Sequence, residues 1–232
     1  GMDATNDLTY MMLDAHGHTR LPCPWLAVRM HNNTPRSLKR KVANVIRLGT
    51  GEPKIFNDEV TIPSMLTTGV ELTDARNYQV VGCVEPDVSG KMYGWKDSGH
   101  MNIARILELA INDGRCYNCS ESCPRYKICA GAGSQLGLKT GSLENMKSFD
   151  EVLEAYDKQM EYWCDRQVAV LNAVDVAHQL VKPLPLLSTL MDDCIENGVD
   201  VTMGGTKYNL TGVQGVGVGT AGDGLATIKQ LV

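Results

Sequence analysis

The chain has 232 residues and a mass of 25.3 kDa, enough for one large domain or two small ones. Lys plus Arg number 22 and Asp plus Glu 27, a formal charge of −5, which argues against a nucleic-acid partner. Hydrophobic residues make up 43% and charged residues 21%, sufficient for a core, and no apolar run reaches membrane-spanning length. A basic-then-apolar leader is also lacking, so the sequence reads as a soluble, cytoplasmic protein. Eight cysteines in that setting point to metal binding or catalysis rather than to disulfides.

Residues 7–16 have mixed helical periodicity. Pro22, Pro24 and the apolar run Trp25 to Met30 read as a turn and a short buried strand. Thr34-Pro35 opens the clearest helix, with Thr as N-cap and Pro at the first helical position. Leu38, Val42, Val45 and Ile46 line one face of it and Gly49 stops it. Arg36, Lys39, Arg40 and Lys41 form its solvated face. Residues 50–76 carry Gly, Pro and Asp punctuation around a short helical stretch from Ile62 to Leu66. Tyr78 to Val81 reads as a brief buried strand, Gly82 to Gly90 as a loop, and His100 to Asp113 as a buried helix stopped by Gly114.

A Cys-rich loop over 115–145 follows. Ser148 and Glu151 make a capping-box pattern for a helix to about Lys182. Pro183 and Pro185 break that helix, and a shorter one runs to Asn197. Strand-like residues near Tyr208, a Gly-rich loop over 212–224 and a helical start at Leu225 finish the chain. Lys229 to Val232 stop without a capping glycine, as in a piece of a longer protein. Strands alternating with long helices predict an α/β fold.

Gly82-Cys83-Val84-Glu85-Pro86 carries the strongest chemical signal. A thiol and a carboxylate sit two residues apart, with Gly and Pro setting the backbone. On an extended segment positions i and i+2 point the same way, so Cys83 and Glu85 are candidates for a thiol-based reagent beside a general base.

The surrounding phrases resemble the glycyl-radical enzyme family. They are Leu21-Pro22, Val45-Ile46-Arg47-Leu48-Gly49, Phe56-Asn57-Asp58-Glu59 with Ile62-Pro63, Asp74-Ala75-Arg76-Asn77-Tyr78, the Gly82-to-Pro86 loop, and Tyr93-Gly94-Trp95 with Asp97. Asp192-Asp193-Cys194-Ile195-Glu196, Gly204-Gly205-Thr206-Lys207-Tyr208-Asn209, Thr211-Gly212 and Gln214-Gly215-Val216-Gly217 continue the match in order. The likeness runs over nearly the whole of 1–232. A Cys-x-Glu pair resembles the eliminating and decarboxylating branch, which includes glycerol and propanediol dehydratases and choline trimethylamine-lyase.

That resemblance implies roles. Cys83 becomes the thiyl radical that abstracts a substrate hydrogen, and Glu85 takes the proton of the neighbouring hydroxyl while a leaving group departs from the next carbon. Asp97 matches a carboxylate that assists substrate binding and proton handling; the alternative for it is an N-cap to the helix at 100–113. The implied fold is about half of a ten-stranded α/β barrel with long helices. The implied cofactor is a glycyl radical installed by a radical-SAM activating enzyme. Its Arg-Val-Ser-Gly-Tyr-like motif does not occur in this sequence, so these residues alone are expected to be silent. The expected partners are that activase and a small hydroxylated substrate, and exposed half-barrel edges favour association into a homo-oligomer. An arylacetate decarboxylase is the alternative enzyme; a non-catalytic metal-binding domain is the alternative of another class.

The metal reading rests on Cys116-x2-Cys119-x3-Cys123-x5-Cys129, four thiols within a loop, for which zinc fits better than a cluster. This segment, 115–136, reads as an insertion relative to the family, with free thiols or disulfides as the alternative. Gly217-x-Gly219-x-x-Gly222 fits a dinucleotide fingerprint only superficially, because no acidic residue follows at the required distance. His16 and His18 read as a solvated turn, Cys164 and Cys194 as core thiols, and Cys23 has no assignment.

Overall fold

The computed structural model describes residues 3–94, 96–117 and 132–231. In chain order, α1 spans Asp7–Thr19, β1 Ala27–Met30, α2 Arg36–Ile46, β2 Lys54–Asn57, α3 Asp58–Thr67 and α4 Leu72–Arg76. Strands β3 (Gln79–Val81), β4 (Glu85–Asp87), β5 (Met92–Tyr93) and β6 (Gly99–Asn102) lead to α5 (Ile103–Ile111). After β7 (Arg115–Cys116) and β8 (Ser134–Gln135) comes the long α6 (Phe149–Val181). Helices α7 (Pro185–Ser188) and α8 (Cys194–Asn197), strands β9 (Tyr208–Asn209) and β10 (Val213–Val216), and α9 (Val218–Leu231) complete the order.

The α/β expectation holds. Among the described residues the strands pair two by two and form no larger sheet. The β1–β2, β5–β9 and β6–β10 ladders are parallel; β3–β4 and β7–β8 are antiparallel hairpins. The chain divides into two compact units. One is built from Gly1–Lys96 and Pro185–Leu210, the other from Asp97–Leu184 and Thr211–Val232. No helix among the described residues is long and apolar enough to cross a membrane.

In the first unit, Leu38, Val42 and Val45 fall on one face of α2 and are buried with Leu13 of α1 and Val28 of β1. The N-cap position belongs to Pro35 rather than Thr34, and no side chain caps the helix. Thr34 Oγ1 instead accepts the His31 N–H at 2.9 Å, which closes the turn before the helix. Ile46, expected on the buried face, is 38% exposed at the last helical position. The punctuated stretch 50–76 conceals β2, which lies parallel to β1 from Ala27↔Lys54 to Met30↔Asn57. The helical stretch expected at Ile62 to Leu66 is part of a longer helix, α3, whose first turn is capped by the Asn57 side chain on Glu59 N–H. A second core gathers Phe56, Met65, Val70, Ala75, Tyr78, Val88, Met92 and Tyr208.

In the second unit, Leu107, Val152, Ala221 and Ile228 bring α5, α6 and α9 together. The Ser148/Glu151 pattern starts α6 as expected: Ser148 Oγ accepts the Glu151 N–H, and Glu151 Oε2 accepts the N–H of Lys147. Helix α5 begins at Ile103, not at His100, because residues 99–102 are occupied as β6 beside β10. The expected loop over 212–224 is β10 followed by α9, which starts at Val218 rather than Leu225. Gly217, at φ +80°, makes the turn between them. A Cβ on Gly224 would stand 3.0 Å from Leu107 Cδ2, so its absence lets α9 approach α5. The shorter helix expected up to Asn197 is two separate pieces, α7 and α8.

Candidate active site

Val81 and Glu85 are the last paired residues of the β3–β4 hairpin, so the chain reverses over Gly82, Cys83 and Val84. The segment expected as a loop is therefore partly strand. Cys83 lies in the turn and Glu85 on the strand, so simple alternation does not relate them; the hairpin end does. Gly82 has φ +59°, a left-handed value that favours glycine. The Glu85 carboxylate folds back over the turn and its Oε2 accepts the Val84 N–H at 2.8 Å. A Cβ on Gly82 would lie 2.8 Å from the same oxygen. Glycine thus supplies both the dihedral and the room for the carboxylate. Cys83 and Glu85 are half-buried, and the thiol is free.

Below the turn, Asp87 ends β4. Its Oδ1 accepts the Val88 N–H at 2.7 Å and lies 3.4 Å from Lys96 Nζ. Burial pulls the Lys96 ammonium below its ordinary pKa, against the opposing charge of Asp87.

Two polar networks anchor the surrounding elements of this unit. Arg29 on β1 donates to both carboxylate oxygens of Asp58, at 3.0 and 2.9 Å, and to the carbonyls of Tyr78 and Arg76. Its guanidinium also stacks 3.8 Å from the centre of the Tyr78 ring. Tyr78 OH donates to Asp58 Oδ1 at 2.8 Å; burial, then this carboxylate, push the phenol up to about 12. The second network centres on buried Asp74. Its carboxylate accepts from Lys91 at 2.8 Å, Tyr208 at 2.8 Å and Lys207 at 3.0 Å, and these bonds hold it well below the usual carboxylate range. The phrases Asp74–Tyr78 and Gly204–Asn209, far apart in sequence, thus meet in one network.

Asp97 begins the second unit. Its side chain is 54% exposed, with His100 Nε2 at 3.6 Å. It does not cap α5: Asn102 Oδ1 accepts the Arg105 N–H at 2.9 Å and does so instead. Of the four cysteines proposed to hold metal, Cys119, Cys123 and Cys129 lie outside the described residues, as does Trp95. Cys116 is buried in β7, where Arg105 Nη2 lies 2.6 Å from its Sγ while Arg105 Nη1 pairs with Glu108. Among the described residues no group of three or more His, Cys, Asp or Glu side chains is gathered as a metal site.

Three further expectations change. His16 is buried inside α1 rather than in a solvated turn, and Cys164 is exposed rather than in the core; Cys194 is buried as expected. The glycines of the apparent dinucleotide fingerprint fall in the β10–α9 turn and in α9 itself. A cleft of about 810 Å3 opens beside α1, β1 and α3, lined by Leu8, Met12, Val28 and Ile62, and it contains none of Cys83, Glu85 and Asp97. Sequence reasoning missed Arg29, Lys91, Asp87 and Lys96, whose roles are set by partners distant in the chain.

An α/β chain with a free cysteine on a tight glycine turn, backed by a folded-in glutamate, has a recognisable setting. The pyruvate formate lyase-like family model matches residues 1–232, and the chain belongs to that family of glycyl-radical enzymes. It is 48% identical over 232 residues to (2S)-3-sulfopropanediol dehydratase of Klebsiella oxytoca, covering 100% of this chain and 26% of that protein. Its structure is similar to the glycerol-bound B12-independent glycerol dehydratase of Clostridium butyricum, with a TM-score of 0.83 and 44% identity, over 100% of this chain and 28% of the other. It is likewise similar to hydroxyproline dehydratase from Clostridioides difficile with trans-4-hydroxy-L-proline bound, with a TM-score of 0.81 and 33% identity, over 99% and 27%. The chain therefore spans about a quarter of the length of the relatives it matches.

Proposed function

We propose that residues 1–232 are the Cys-loop segment of a glycyl-radical eliminase, with Cys loop 82–90 and a four-Cys insertion at 115–136, acting on a small hydroxylated substrate. The observation that carries the reading is the hairpin end, where a free, half-buried thiol shares a three-residue turn with a carboxylate folded onto its backbone. The named dehydratases among the relatives support elimination over the decarboxylation named for indoleacetate decarboxylase of Tractidigestivibacter scatoligenes, which is 26% identical.

The glycyl radical, on a segment outside these residues and installed by a radical-SAM activating enzyme, supplies one-electron hydrogen abstraction. No glycine here lies in its motif, so this chain contributes the relay and the base, and residues 1–232 alone turn nothing over. As a thiyl radical, Cys83 Sγ takes a hydrogen atom from the carbon bearing the hydroxyl. Glu85 takes the hydroxyl proton, the leaving group departs from the adjacent carbon with its bonding electron pair, and the product radical left there takes the hydrogen atom back from Cys83. The Val84 N–H holds one carboxylate oxygen, fixing where the base sits. Asp97 is proposed as the carboxylate that binds substrate and returns a proton to the leaving group. The paired ladders are proposed as parts of a ten-stranded barrel completed by the longer protein, cytoplasmic and associating as a homo-oligomer.

The test is Cys83→Ala in the longer protein that carries this segment. Turnover should vanish, while the glycyl-radical signal in electron paramagnetic resonance still appears on activation. Retained turnover overturns the reading; loss of the radical signal as well makes Cys83 structural. Diols yielding aldehyde distinguish elimination from carbon dioxide release. Zinc at Cys116, Cys119, Cys123 and Cys129 is a separate proposal, checked by elemental analysis before and after Cys116→Ser with Cys119→Ser.

A further inference from the structure

The pair below the turn has no place in that chemistry, yet both partners are withdrawn from water. The side chains of Asp87 and Lys96 are 12% and 18% exposed, with Nζ 3.4 Å from Oδ1. Lysine carries high rotamer entropy and a strongly hydrated charge, so a surface site would suit it better unless the fixed position serves something. Asp87 and Glu85 are two residues apart on β4 and leave the same side of the strand.

The connectivity says what the pair joins. Strand β4 hydrogen-bonds only to β3 among the described strands, and a lone two-stranded hairpin is marginal in water. The chain after Asp87 turns through Val88, whose carbonyl accepts the N–H groups of Lys91 and Met92, and enters β5. Strand β5 is held by a different ladder, to β9, and by burial of Met92 beside Tyr208. Lys96 then reaches back from beyond β5 to Asp87. The ion pair is a side-chain tie between the hairpin and the β5–β9 ladder, which share no backbone pairing.

We infer that Lys96 and Asp87 are positioning residues that hold the hairpin so that the Glu85 carboxylate stays folded over the Cys83 turn. The inference rests on the reading of Glu85 as the base. It adds a specific requirement: the tie should be felt at the Val84 N–H, which donates to Glu85, before it is felt elsewhere in the unit.

The experiment is amide hydrogen exchange, read by mass spectrometry of fragments resolved to single amides, on the longer protein that carries this segment. In Lys96→Met, exchange of the Val84 amide should rise about tenfold through local opening while core amides of β1 and α2 hold their protection. Lys96→Arg, which keeps the charge, should restore it, and Asp87→Asn should reproduce the loss. Asp87→Asn also carries the test should Lys96→Met fail to fold. Unchanged Val84 exchange in both variants overturns the inference. So does a rise shared equally by the core amides, which would make the pair merely structural. Neither outcome touches the Cys83→Ala turnover test, so this inference and the eliminase reading fail separately.

Discussion

In the β3–β4 hairpin the cysteine rides the turn, half-buried, beside a glutamate whose carboxylate closes over the backbone. In the β7–β8 hairpin Cys116 sits within a strand, 2% exposed, with an arginine against its sulfur. Glycine flanks both, with different consequences. Gly82 faces the far end of a flexible carboxylate, whereas a Cβ on Gly114 would overlap the backbone oxygen of Leu138. The second stem is also tied inward by Gln159, wholly buried on α6, which donates to the Leu138 carbonyl and accepts its N–H. A thiol on a turn with yielding neighbours can be presented to a reactant; a thiol in a stem fixed by backbone contacts serves the stem.

The sharpest way to break this contrast is to add one methyl group to each hairpin. Gly114→Ala meets backbone at φ +72° and should cost about 3 kcal/mol or more in denaturant unfolding. Gly82→Ala, at φ +59° against a movable oxygen, should cost only about 1 kcal/mol and chiefly displace Glu85. Equal losses would dissolve the distinction.

Between these lies Asp74, part of the anchoring beneath the first hairpin's unit. Asp74→Asn removes the negative charge and one of the two oxygens that accept from two lysines and a tyrosine, and should cost about 2 kcal/mol. The folded-state pKa of Asp74 is depressed, so its contribution is present above the ordinary carboxylate value of about 4 and is lost as pH falls below it. Stability of the unmodified chain should therefore drop through that acidic range more steeply than stability of Asp74→Asn. Parallel pH profiles would show that the network is not ionised as drawn.

The smallest effect is kinetic. In the native chain, iodoacetamide should modify Cys83 about a hundredfold faster than Cys116, since access to the thiolate governs attack. Comparable rates, read by peptide mass spectrometry, would mean that the second stem opens as readily as the first turn.

What could be read from the sequence follows the range of the signals. The apolar stripe of α2, the Ser148/Glu151 start of α6 and the glycine before Cys83 are local patterns, and each was legible. Strands β2, β4, β6 and β10 have four residues or fewer, too short for a period of two to stand out. The first turns of helix α9 were hidden by Gly219, Gly222 and Gly224, which normally oppose helix; packing of Ala221 and Ile228 outweighs that propensity. Of the candidate site, Cys83 and Glu85 were visible through the Gly-Cys-x-Glu-Pro phrase. The Arg29–Asp58, Asp74–Lys207 and Asp87–Lys96 pairs were not, because a charge in a sequence does not announce its partner.

Asp74 accepts hydrogen bonds from Lys91, seventeen positions on, and from Tyr208, 134 positions on. The first unit is completed by Pro185–Leu210 only after the whole of Asp97–Leu184 has been made, and the second waits in turn for Thr211 onward. During synthesis neither unit can finish before the other begins, so they mature together rather than in succession on the ribosome. A nascent chain halted before Pro185 holds Asp74 with one of its three donors, an unfinished unit with a buried charge and an open core.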